Sequence, residues 1–345
     1  MLTLDICRDC NSKFGAGADA HLAKQLNFYA NILLMERESG QPQPVIMERL
    51  SDGKKFRIGP RGRPQIKDPV VIQKKSGNDV AITIEARDER EAKEILTGLA
   101  RKYGNLNVEE FPAKAQHVQE QIEEPLHIGV TVGGKEAAPS VLKTAISYYI
   151  ELTGDAYSVA GAIAELRAGE TRSVEPIIMD QRIYQLDDEE VSHSVYVVGQ
   201  KHQGLYGIVE YFNVIQFLIK LSDRYDGEDI ESLYVFDVLK RTRLEKAIST
   251  RLRHDFVFGF QYSKSNPDFQ IMQAAASRVM GIAMKRQQEA RLSEIVAAAW
   301  KETIGKMIPE GAKITEDAAN AFNRQLMIEL EPYLRSLFVR KRVDK

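Results

Sequence analysis

Cys7 and Cys10 are the only cysteines in a chain of 345 residues. Their CxxC spacing lets two thiolates grip one metal ion from a single tight turn. A structural zinc ion normally takes four ligands, so this pair is half a site. Six residues precede Cys7, too few for a second CxxC, and the chain reads as starting in the middle of a metal-binding module. Asn11 follows directly; its amide oxygen could accept a hydrogen bond or ligate a metal weakly, less well than an imidazole would. The densest basic segment is Lys54, Lys55, Arg57, Arg61, Arg63 and Lys67, interleaved with Gly59, Pro60 and Gly62. Presented on a loop or hairpin, these cations could neutralise several phosphates in a salt-sensitive, sequence-tolerant way. The competing reading is a solvated hairpin tip. Lys74 and Lys75 extend the patch if the strands bring them round.

Other polar groupings read more plainly. Lys240, Arg241 and Arg243 with Lys246, Arg251 and Arg253 read as a solvated helical face paired with Glu245, and Arg340-Lys341-Arg342 as a mobile tail. Asp187-Asp188-Glu189-Glu190 reads as a solvated acidic loop with the capacity to collect a cation. The six histidines include no HxxxH or HExxH pattern. His193 and His202 fall on neighbouring strand-like segments and read as ordinary sheet residues, and His21 as a solvated helix-face residue. No GxxxxGK[ST], GxGxxG or GxSxG occurs.

Hydrophobic residues make up 43% and charged residues 28% of the chain, which is ordinary globular composition. A formal net charge of -2 leaves no global basic field, so a nucleic acid would have to be held by a local patch. Two cysteines in so long a chain argue against a disulfide framework and for a reducing, cytoplasmic setting. The first twenty residues lack the apolar core of a signal peptide, and no apolar run approaches a membrane span. Phe212 to Leu221, the longest such stretch, is broken by Asn213, Gln216 and Lys220.

These groups must be carried by identifiable elements. Residues 5–38 predict a knuckle turn and then one helix, capped by Asp19 and carrying Leu22, Leu26, Ala30, Leu33 and Leu34 on one side. Short β-rich runs at 45–47, 55–58, 70–72 and 80–84, separated by Gly, Asp and Pro turns, predict a small meander. Residues 88–103 predict an amphipathic helix, and 105–125 a linker. A strand at 127–132 leads to Gly133-Gly134, a helix starting at Pro139 and ending at Gly154, and a second over 158–168 ending at Gly169. Runs at 176–179, 194–198, 206–209 and 214–218 predict a β layer, with 233–238 at its edge. Residues 269–310 predict helix interrupted at Lys285 to Arg291, and 316–338 a final helix. The expected class is α+β: a partial treble-clef zinc knuckle and helix over 1–38, a β-meander with a helix over 44–104, a linker over 105–125, and a larger mixed α/β domain with a helical C-terminus over 126–345.

The run Ile6-Cys-x-x-Cys-Asn-x-x-Phe-Gly, followed by Asp19 and Leu22, resembles the second half of the HNH endonuclease domain in its CxxC-containing, treble-clef form. That family reads CxxC, a Glu-His-Ile-like segment with a Gly-Gly turn, then CxxCN with a helix. The resemblance covers residues 4–26 and is far more restrictive than CxxC alone. It implies that Cys7 and Cys10 are the second pair of zinc ligands, that Asn11 stands where many members carry their last His, that Phe14 packs the knuckle, and that Gly15 takes a positive φ at the turn into the helix. It implies metal-dependent hydrolysis of DNA, with Mg or another divalent ion at a completed site. The first CxxC and the general-base His of that chemistry are not in this sequence.

The expectation is an HNH-family chain, incomplete at its N-terminus and inactive as given, that still binds DNA. The alternative is a non-enzymatic binding or scaffold protein with a vestigial knuckle. A third arrangement shares one zinc ion between two chains of a homo-oligomer, each supplying one CxxC. Membrane association is not expected.

Overall fold

The computed structural model describes residues 8–36, 44–59, 64–76, 79–103, 122, 124–129, 131–179, 181–250, 269–309 and 311–343. The chain divides into two compact units, Met1–Met280 and Gly281–Lys345. Helices and antiparallel sheets mix in an α+β arrangement with a helical C-terminus.

Unit 1 opens with three short helices, α1 (Arg8–Ala16), α2 (Ala18–Gln25) and α3 (Asn27–Ile32), where one helix was expected. A four-stranded sheet comes next, in the order β3-β2-β1-β6, from β1 (Val45–Arg49), β2 (Lys54–Ile58), β3 (Pro64–Ile66) and β6 (Leu126–His127). The β1–β2 turn is closed by Asp52, which accepts from the Arg49 guanidinium at 2.7 and 3.0 Å and from the Lys54 amide at 3.0 Å. Those bonds pull its carboxyl down to about 2, and Gly53 supplies the left-handed residue the turn needs (φ 70°). A separate two-stranded hairpin, β4 (Val70–Ser76) with β5 (Asp79–Glu85), precedes helix α4 (Glu89–Tyr103). The strand expected over 127–132 pairs only at Leu126 and His127, against Arg49 and Glu48.

The larger sheet has the order β12-β11-β8-β9-β10-β7, from β7 (Val174–Ile177), β8 (Ser192–Gly199), β9 (Leu205–Tyr211), β10 (Ile215–Ser222), β11 (Ile230–Asp237) and β12 (Thr242–Leu244). Residues 233–238 were expected at the edge, but β12 pairs outside β11, Val235 opposite Leu244. Three residues with an arginine at the centre are too few for an alternation to announce them.

Helix α5 (Gly134–Thr153) covers one face of this sheet, burying Val141, Leu142, Ala145 and Tyr149. Pro139 lies inside the helix, not at its start. Gly154 ends it in the left-handed conformation, as expected, and Gly169 does the same for α6 (Ala160–Ala168). The other face packs Ile177, Met179, Ile183 and Tyr184 against Tyr196, Tyr206, Ile208 and Val235. With cover on both sides, every residue of β9 is buried, which is why its sequence shows so little alternation.

The C-terminal helices are α7 (Phe269–Glu302), α8 (Ile304–Met307) and α9 (Glu316–Val343). The polar stretch Lys285 to Arg291 does not interrupt α7: it is made of good helix formers and holds no Gly or Pro. Likewise Arg340-Lys341-Arg342 continue the backbone of α9 instead of leaving it as a tail. Within unit 2, Ile295, Ala299, Ile304 and Ala318 are buried, and Trp300 meets Phe322 edge-on at 6.0 Å. Among the described residues no helix is long and apolar enough to cross a membrane.

A Cβ at Gly207 of β9 would meet the Ala145 Cβ of α5 at 3.1 Å. Gly207→Ala should therefore lower stability by about 1–3 kcal/mol through overpacking. Adding Ala145→Gly should recover part of that loss, beyond its own helix penalty of about 1 kcal/mol. Urea unfolding of the four proteins of the cycle measures this coupling, and strict additivity would contradict it.

Candidate metal and nucleic-acid site

Cys10 lies in the first turn of α1, and Asn11 follows it on an exposed position of the same helix. Cys7 and the side chain of Cys10 lie outside the described residues. Gly15 does not take the expected positive φ; it continues α1. The break falls at Gly17, whose amide donates to Lys13 and Phe14 carbonyls. Phe14 is half-buried beneath the Lys143 ammonium, 5.4 Å from its ring centre.

Helices α2 and α3, which follow α1, are held to the rest of the unit. Asp19 does not cap α2, which begins one residue earlier behind Gly17. Its carboxylate instead accepts the Ser140 hydroxyl at 2.6 Å and pairs with the Lys143 ammonium, both on α5. Gln25 makes a reciprocal pair with Gly133: its Nε2 donates to the carbonyl at 2.9 Å and its Oε1 accepts from the amide at 2.8 Å. Tyr29 of α3 stacks on Phe212 with ring centres 5.2 Å apart, and the Asn31 amide donates to the Ile58 carbonyl of β2 at 3.2 Å. The pair is thus fixed to the large sheet, to its covering helix and to the small sheet. His21, exposed as expected, stands 3.2 Å from Glu136. Two sulfurs remain a half-set for zinc, and among the described residues no group of three or more His, Cys, Asp or Glu could hold a metal.

The basic segment is split by strand alternation. Phe56 and Ile58 of β2 are buried, and Lys55 and Arg57 project to the opposite face. Lys54 ion-pairs with Glu85 at 2.5 Å, and Lys67 lies 3.7 Å from Asp68. Arg61 and Arg63 lie outside the described residues. Lys74 is exposed on the separate β4–β5 hairpin.

A third feature was not anticipated from the sequence: a buried ionic network on the face of the large sheet away from α5. Glu190 and Glu210 are 1% and 4% exposed. Glu190 takes the Lys246 ammonium at 2.7 Å and the Ser192 hydroxyl at 2.7 Å. Lys246 also reaches Asp187 at 3.1 Å, and Arg278 donates to the backbone carbonyls of Asp187 and Glu190. Glu210 takes Arg182 at 3.2 Å, Gln216 at 2.9 Å and Asn213 at 3.1 Å. Tyr184 links the halves through Ser192 at 2.9 Å. Burial and the Glu210 charge raise the Tyr184 phenol far above its usual range, so it stays neutral. Burial opposes the Lys246 charge, but its bonds to Glu190 and Asp187 outweigh that and raise its pKa. Burial, helped by Arg182, lowers that of Arg278. Three carboxylates face three cations; the cluster holds charge in balance and ties the 182–192 and 244–249 segments to the sheet.

Two expectations are corrected here. The acidic run is no solvated loop at Glu190; the cation it collects is Lys246 of this chain. Lys240 to Lys246 form a turn, β12 and a loop in place of a helical face. Arg243 meets Glu245 at 3.1 Å, Arg241 meets Glu36 at 3.3 Å, and Lys240 meets Asp237 at 3.6 Å; Arg251 and Arg253 lie outside the described residues. His193 is a sheet residue as expected, the second of β8, whereas His202 lies in the turn beyond the far end of that strand.

Removing Lys246 would strand a buried carboxylate. Lys246→Met should destabilise the chain by about 3–5 kcal/mol, and adding Glu190→Gln should return much of that. Denaturant midpoints at pH 7 test this; equal loss in both variants would mean that the pair is not coupled. Comparison of the chain with family models, with curated proteins and with solved structures returns no match.

Proposed function

We propose that this chain is an HNH-endonuclease-type protein that binds DNA through its backbone phosphates, with Cys7 and Cys10 as one pair of zinc ligands. The observation that carries the reading is local. Cys10 stands in the first turn of a helix with Asn11 exposed behind it, the order in which that family places its second ligand pair. Anchoring of α2 and α3 supports it, because a knuckle fixed to a rigid body can orient a nucleic acid against that body. Lys55, exposed, and Arg57, half-buried, on the face of β2 opposite Phe56 and Ile58, supply the local positive charge that a net charge of -2 otherwise lacks.

Zinc would be structural here, its missing ligands coming from a second CxxC, on a second copy in a homo-oligomer or on sequence beyond these residues. Hydrolysis would further require a general-base His and a divalent ion such as Mg at the completed site; the CxxC segment itself supplies neither. The cysteine pair fits a reducing cytoplasm. A second reading, a protein-binding scaffold, is favoured by the apolar side chains that unit 2 leaves open, among them Met327 and Ile328 at 62% and 63% exposure.

A DNA titration over 50–200 mM salt distinguishes the two. The DNA-binding reading predicts sequence-tolerant association whose logarithm falls linearly with the logarithm of salt. The double variant Lys55→Ala, Arg57→Ala should reduce the slope by about 2, near 0.9 per phosphate contact. No association at 50 mM salt, or a slope unmoved by the double variant, contradicts it.

A further inference from the structure

His193 is the second residue of β8, and its Nδ1 accepts the Phe212 amide at 3.1 Å. An accepting Nδ1 carries no proton, so the ring here is the neutral Nε2–H tautomer. The acceptor serves an unusual turn. Phe212 and Asn213, between β9 and β10, both take left-handed backbone angles, φ 56° and 58°; asparagine tolerates that region, but for a bulky residue such as Phe212 it is uncommon and must be held by its surroundings. On one side the Phe212 ring stacks on Tyr29 of α3 and packs edge-on to His193 at 4.5 Å. On the other, the Asn213 side chain accepts the Ser192 amide at 2.7 Å and donates into the buried network.

We propose that His193 is an acid-sensitive latch: its protonation removes the acceptor of the Phe212 amide, frees the 212–213 turn and releases the Tyr29 stack that holds α3 to the large sheet. An imidazolium would set an N–H against an N–H, and the left-handed turn would lose the bond that offsets its strain. Residue 193 as a whole is only partly buried, although the ring itself is desolvated. Burial, not a neighbouring charge, sets its pKa, although the Asp237 carboxylate stands one residue along β11. From β9 it faces Tyr211, whose phenol burial raises to about 12, and from β11 Phe236 and, one residue on, Asp237. From α3, Tyr29 lies behind Phe212, its phenol also raised by burial. Crowding alone lowers the His193 pKa, to about 4.

Because the folded pKa lies below the ordinary 6.5, the closed state is favoured fully above pH 6.5 and loses ground as pH falls towards 4. The opening constant should rise by up to tenfold per pH unit across that window. Hydrogen exchange of the whole chain at pH 7 and pH 5, corrected for intrinsic rates, reads this directly. Exchange in residues 26–33 and 208–217 should be about 20-fold faster at pH 5. His193→Gln, whose amide oxygen accepts without titrating, should abolish the difference. If that variant does not fold, Tyr29→Leu should open residues 26–33 already at pH 7 while leaving 208–217 protected. Unchanged protection of the native chain at pH 5 overturns the latch. So does an equal acid response in His193→Gln, which would place the sensitivity in a group other than His193. The result is independent of whether DNA binds.

Discussion

Ala145 of α5 rests against Gly207 of β9, an approach possible only because position 207 carries no side chain. It brings the helix down onto the centre of the six-stranded sheet, so that Val141, Leu142 and Tyr149 can be buried along the same face. Helix α5 then serves as the platform for the N-terminus. Ser140 and Lys143 take Asp19, and Gly133, just before its first turn, takes both ends of the Gln25 amide. A half-buried, charge-assisted bond of this kind is stronger than a neutral one, and it fixes where α2 leaves the knuckle helix.

The two faces of the sheet do different physical work. The α5 face is apolar with hydroxyls at its margin, as where Tyr148 meets Ser232. The other face ends in three carboxylates and three cations. A buried ionic network adds little net stability over a hydrophobic equivalent, but each of its members specifies a partner. Lys246 satisfies the Glu190 carboxylate and Arg182 that of Glu210, while Arg278 takes the backbone carbonyls of Asp187 and Glu190, so three separate stretches of chain are fixed in place. The 212–213 turn sits between the faces, with Phe212 turned to the N-terminal helices and Asn213 to the network. A change at His193 is felt on both.

Much of this fold was legible in the sequence, for reasons particular residues make plain. Gly154 and Gly169 marked helix ends because each stands where a left-handed residue closes the last turn. Residues 55–58 and 80–84 read as strands because of their β-branched and aromatic residues between Asp-Gly and Gly-Asn turns, and the strands Lys54–Ile58 and Asp79–Glu85 extend them by a residue. Pro139 misled, because proline favours a helix's first residue, yet here it is the sixth, where it leaves the Lys135 carbonyl without its i→i−4 bond and the helix runs on. Lys285 to Arg291 misled because polarity was read as interruption. The network escaped notice because its members are 96 residues apart at the extremes, Arg182 to Arg278, and no local pattern joins them. The one local sign is an acid inside an apolar strand, Glu210 between Val209 and Tyr211. For the proposed zinc pair the position is reversed: spacing singles out Cys7 and Cys10, while the fold contributes the helix on which Cys10 stands.

The central claim, that the CxxC at the head of this anchored helix is a zinc-ligand pair, is tested most directly by X-ray absorption at the zinc edge on the zinc-loaded, full-length chain. Sulfur neighbours at about 2.3 Å are expected, lost when Cys7 and Cys10 are both replaced by serine. Zinc that is not retained, or a first shell of nitrogen and oxygen alone, would contradict it.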